Sequence, residues 1–136
     1  MKDHAIKYVT FWPIDIPITD PFIVATGVRV VAENIFVRIT LNNGTHGYGE
    51  AAPFPEVGGE DRESCLAALE RLASSLIGES VEDYHALAHR MSEQALTHPA
   101  ARCGLETAVI DAYCRASNIP MWQLWGDSDV RARETD

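Results

Sequence analysis

His85 and His89 stand four residues apart, the spacing at which one helix face offers two imidazoles to a metal ion. No glutamate follows the first histidine and no third ligand is evident, so a solvated helix face is the competing reading. GTHGYG, Gly44 to Gly49, has three glycines but does not open a helix, which leaves turn geometry and close packing as their use rather than a phosphate cradle. Glu50 sits between strand and apolar loop. Burial there would raise its pKa and suit it to carry a proton, whereas a hydrogen bond near the domain edge would make it structural. Cys65, Cys103 and Cys114 lack the spacing of a zinc ribbon or redox pair, and read as small buried or half-buried side chains in a reducing compartment. No Walker lysine motif, nucleophile elbow or catalytic-cysteine signature is present.

The elements that must position these residues fall into two halves. Ala5 to Ile16 is rich in β-branched and aromatic residues, with Ile6, Tyr8, Thr10 and Trp12 on one face and Lys7, Val9 and Phe11 on the other. Ile35, Val37, Ile39 and Leu41 alternate with Phe36, Arg38 and Thr40, a strand with one buried face. Asn42-Asn43-Gly44 suits a tight hairpin, and Thr45 to Ala51 returns antiparallel. ITDPFIVATG, interrupted by Pro21 and ending in Gly27, reads as a mobile apolar loop.

Helices follow. Asp61 caps one with Leu66, Leu69, Leu72, Ala73 and Leu76 on its inner stripe, and Gly78 ends it. Ser80 caps a second, whose inner face is Tyr84, Leu87, Ala88 and Met91. Pro99 opens a third, with Ala101, Leu105, Ala108, Val109, Ala112 and Ala116 at helical spacing. MWQLWG then places Trp122 and Trp125 in a short apolar segment. Strands followed by helices predict an α+β domain: a three-stranded antiparallel meander and about three helices.

Composition bounds the function. The 136 residues suffice for one domain with a real core. A net charge of −9 with scattered basic residues gives no footprint for nucleic acid or anionic lipid. No stretch approaches the length of a membrane span, and the N-terminus lacks a signal peptide's apolar run, so a cytoplasmic protein is expected.

The order of elements, GYGEAAPFP with GGED after it, and PAARCGLETAVIDAYCRASNIPMWQLWG resemble the N-terminal capping domain of the enolase superfamily, in its muconate-lactonizing and mandelate-racemase-like branch. VATGVRVVAENIFVRI and GEAAPFPEVGGED are most similar to dipeptide epimerases of the L-Ala-D/L-Glu type, and muconate cycloisomerases and o-succinylbenzoate synthases share the general pattern. The resemblance implies a capping domain over residues 1–126, with residues 127–136 starting a linker to a C-terminal (β/α)8 barrel. That barrel would supply lysine acid/base residues and acidic ligands for Mg²⁺, which stabilises the enediolate formed when a proton leaves beside a carboxylate. Those groups are expected beyond Asp136, so the chain alone is expected to lack activity and to hold neither catalytic residues nor metal.

By position, the resemblance makes Asp20 to Arg29 and Pro53 to Glu60 two loops that close over the barrel mouth. Phe22, Ile23, Thr26, Phe54, Pro55 and Val57 are then candidate specificity residues, with packing inside the domain as the alternative. Arg29 falls where such epimerases can place an arginine that pairs with a substrate's side-chain carboxylate; a surface arginine without that role is the other reading. The implied partners are the barrel, a small carboxylate substrate such as a dipeptide, and further copies in a homo-oligomer. A second class stays open: a free-standing binding or structural module of the same fold.

Overall fold

A run of β-branched and aromatic residues opens the chain, and in the computed structural model, which describes residues 3–126, it becomes β1, Ile6–Val24. β1 pairs antiparallel with β2, Gly27–Leu41, and β2 with β3, His46–Ala51, in the order β1-β2-β3. This is the expected meander. Ile35, Val37, Ile39 and Leu41 are fully buried. Gly44, at φ 86°, turns the chain between β2 and β3, where the Leu41 amide donates to the Thr45 carbonyl at 2.9 Å.

Two expectations about β1 are corrected. ITDPFIVATG is not a loop: strand pairing continues to Val24, and only Ala25 and Thr26 form the turn before Gly27. Pro13, Pro17 and Pro21 are accommodated because β1 is an edge strand, where a missing N–H need not break a ladder. Pairing does shift between Pro17 and Phe22, around Pro21. The expected faces also change. Ile6 pairs with Leu41 but Tyr8 with Thr40, so Lys7 is the extra residue of a bulge and side chains beyond it change face. Ile6 is buried, Val9 and Phe11 pack against the core, and Tyr8 and Trp12 are exposed.

The second expected loop contains a short helix, α1, Pro55–Gly58, which Pro55 opens and Gly59 ends at φ 73°. Asp61 caps α2, Arg62–Leu76, in a reciprocal box with Ser64. Ser80 caps a 3₁₀ turn, Val81–Asp83, rather than the helix itself, and α3 follows over Tyr84–Gln94. α4, Pro99–Ala116, is followed by a 3₁₀ segment, Met121–Trp125. The expected linker, residues 127–136, lies outside the described residues. Among the described residues no helix is long and apolar enough to cross a membrane.

The helices cover one face of the sheet, and α4 lies directly on β3. A Cβ added to Gly49 would sit 2.0 Å from the Gly104 carbonyl oxygen, and one on Gly47 would sit 2.3 Å from that of Ala108. Two strand glycines and one helix glycine therefore let backbone meet backbone. At the start of α4, His98 provides no side-chain cap. The buried carboxylate of Glu60 replaces it, accepting from the Ala100 and Ala101 amides at 2.8 and 3.2 Å. Burial, with Glu60 adding to it, pushes the neighbouring Cys65 thiol up.

All three cysteines are free. Cys65 and Cys114 are buried as expected, while Cys103 is exposed on α4, a correction to its expected burial. Its eleven-residue separation from Cys114 along α4 is about 16 Å, too far for a disulfide.

Candidate functional site

β3 pairs only with Ile35 to Thr40, so the rest of the β1–β2 hairpin projects as a two-stranded arm. Two arginines brace that arm. Near its base, Arg62 on α2 donates to the Ile14 carbonyl at 2.9 Å and pairs with the Asp15 carboxylate. At its tip, Arg29 Nε donates to Glu56 Oε2 at 3.0 Å, and Nη1 reaches the Pro53 carbonyl at 3.5 Å. Thr26 Oγ1 donates to the Glu56 carbonyl at 2.8 Å.

Aromatic contacts complete the junction. The Arg29 guanidinium lies 4.7 Å from the Phe54 ring centroid, within cation–π range, and the rings of Phe22 and Phe54 are 5.8 Å apart. The hairpin tip and the segment through α1 therefore form one joined unit. Its chemistry is an ion pair set against aromatic surface, with side-chain exposures of 12% for Arg29 and 27% for Glu56.

Beside this unit lies a cleft of about 270 Å³ lined by Ile18, Phe22, Arg29, Ala32, Asn34, Ala52, Pro53 and Phe54. Arg29 is the only charged residue in that lining. The structure thus brings Phe22, Arg29 and Phe54 together on one wall. Ile23 and Val57 project into solvent at 73% and 72% exposure, Pro55 starts α1, and Thr26 tethers the tip.

Glu56 is the residue sequence reasoning missed. It sits within the apolar PFPEVGG stretch, and no local pattern links it to an arginine 27 positions earlier. Asn34 was also missed, although its signal was available: it shares the outward face of β2 with Phe36, which pairs with Glu50. Asn34 Nδ2 donates to Glu50 Oε1 at 2.6 Å, and Glu50 is exposed, so its contact is the structural one.

His85 and His89 are both exposed, and His89 Nε2 lies 3.6 Å from Glu93 Oε1. Among the described residues no group of three His, Cys, Asp or Glu side chains could hold a metal ion. These residues do not fit a Mg²⁺ site, and no metal-dependent step is assigned to them.

Comparison with known proteins agrees with this geometry. Residues 7–126 match the family described as the mandelate racemase/muconate lactonizing enzyme N-terminal domain. The aromatic dipeptide epimerase of Herpetosiphon aurantiacus is 41% identical over 121 residues, 89% of this chain and 34% of its own length. The L-Ala-D/L-Glu epimerase of Bacillus subtilis is 31% identical over 114 residues, 83% of this chain and 31% of its own. The dipeptide epimerase of Enterococcus faecalis, solved with Mg and L-Leu-L-Tyr, superposes with a TM-score of 0.86 at 26% identity, covering 92% of this chain and 35% of that one. This chain spans about a third of the length of the curated relatives it matches. Strand order, helix succession and family match lead to one assignment: the chain belongs to the mandelate racemase/muconate lactonizing enzyme N-terminal domain family, within the enolase superfamily, and is most similar to dipeptide epimerases.

Proposed function

We propose that this domain caps a (β/α)8 barrel and walls the substrate pocket of a dipeptide epimerase that removes a proton beside a carboxylate and returns it to the opposite face. The cleft between the hairpin tip and the α1 segment carries this reading. It is concave and mostly apolar, and it is built on the two segments that the sequence resemblance makes the closing loops of such enzymes. Phe22 and Phe54 on its wall favour dipeptides with an apolar or aromatic side chain, in keeping with the names of the Herpetosiphon relative and the Enterococcus complex. The barrel would supply acid/base chemistry and bind Mg²⁺, the ion in the Enterococcus complex.

The domain joined to its barrel should exchange the α-proton of L-Ala-L-Phe for deuterium in D₂O when Mg²⁺ is present. The 136-residue chain alone should show none above the no-enzyme control. Failure of the joined enzyme on every dipeptide, with turnover of muconate instead, would move the reading to a cycloisomerase.

A further inference from the structure

We infer that Glu56 is a selectivity residue: by cancelling the charge of Arg29, it makes the cleft discriminate against an acidic side chain. This rests on the reading of the cleft as part of a substrate pocket. Arg29 is the only charged residue of the cleft lining, so its electrostatic state decides which side chains the cleft attracts. Glu56 holds that state through the 3.0 Å contact to Nε, while Pro53 and the Phe54 ring engage other parts of the guanidinium.

Geometry fixes the Glu56 side of the pair as well. Its carbonyl accepts from Thr26 Oγ1, so the residue is tied through its backbone to the same hairpin tip that carries Arg29. Both partners are less than one-third exposed, which limits screening by solvent. An incoming carboxylate would either have to displace Glu56 from Arg29 Nε or bind the remaining guanidinium N–H groups beside a second negative charge. An uncharged side chain pays neither penalty. Selectivity is a difference of affinities and is often set by such a repulsive element.

Glu56→Gln preserves much of the shape and removes the charge. In the domain joined to its barrel, the ratio of kcat/KM for L-Ala-L-Glu over L-Ala-L-Phe should rise about ten- to a hundredfold, the worth of one charge-assisted contact. Adding Arg29→Gln should abolish that rise. An unchanged ratio in Glu56→Gln, or a rise that survives Arg29→Gln, would overturn the inference.

A second readout uses the 136-residue chain itself, followed by the NMR signal of Arg29 Nε–H during titration with glutarate. The wild-type signal should stay in place, and that of Glu56→Gln should move and saturate. Equal responses in the two chains, including none in either, would overturn the selectivity role whatever the enzyme does. A joined enzyme with no dipeptide activity would refute the proposed function while leaving this titration to decide the Glu56–Arg29 relationship.

Discussion

Arg29 Nε and Glu56 Oε2 lie 3.0 Å apart and join the tip of the β1–β2 hairpin to α1, two elements with no other charged link between them among the described contacts. Either partner alone would be left partly buried without its counter-ion. Arg29→Ala and Glu56→Ala should each lower unfolding free energy by about 1–2 kcal/mol after allowance for partial exposure. The double variant should lose clearly less than the sum of the two. Urea unfolding of all four chains measures the coupling, and strict additivity would show that the contact contributes nothing to stability.

Gly49→Ala should destabilise the fold by about 3 kcal/mol or more, because its Cβ would meet the Gly104 carbonyl at 2.0 Å and neither backbone can yield cheaply. Gly58→Ala is the control. Nothing lies within 4 Å of its added Cβ, so the change should be neutral or slightly stabilising. Thermal unfolding of the two variants side by side tests the contrast, and similar melting points would refute it.

Glu60→Gln should loosen the start of α4. The amide group can accept from one of the two amides now bound to the carboxylate, but its NH₂ would face the other donor. A loss of about 1–3 kcal/mol is expected. Hydrogen exchange at Ala100 and Ala101 should accelerate, and unchanged exchange at both amides would remove Glu60 from its capping role.

Asp61 should contribute an acid-sensitive component of stability. Hydrogen bonds from the Ser64 backbone amide and then its side chain hold the Asp61 carboxyl below its ordinary value of 3.8. The folded state therefore releases this proton more readily than the unfolded state. Its contribution is present above the unfolded pKa and is lost as pH falls through the lower folded value. Asp61→Asn keeps a capping side chain without the titration, so it should flatten the acid limb of the stability curve. Superimposable acid limbs for the two chains would count against this account.

Thiol labelling should divide the cysteines one against two. Cys103 is exposed, whereas Cys65 and Cys114 are buried and burial raises both thiols. With a disulfide-exchange reagent on the folded chain, one thiol should react fast and two only on addition of denaturant. Two fast thiols would contradict the packing of α2 or α4.

The sheet and main helices were legible because Ile35, Val37, Ile39 and Leu41 alternate cleanly and Asp61 and Pro99 mark helix starts. Pro21 misled, since a proline reads as a breaker until the strand is known to lie at an edge. The face of Tyr8 was hidden by the bulge at Lys7, which depends on pairing with a distant strand. Phe22, Arg29 and Phe54 could be nominated by position, but their union required a contact between segments far apart in the chain. Glu56 and Glu60 were harder still: a carboxylate's partner is set by tertiary placement, and nothing local announces it.

Between Ile6 and Ile35 no residue is fully buried, although this stretch builds most of the projecting arm and the cleft wall it carries. The arm reaches roughly 25 Å past the paired end of β3 at about 3.3 Å per residue. Under the proposed function, recognition and foldability are encoded in largely separate parts of the text. A lineage could rewrite the tip repeatedly, trying new side chains against new substrates, while the glycine-tight body beneath it stayed the same.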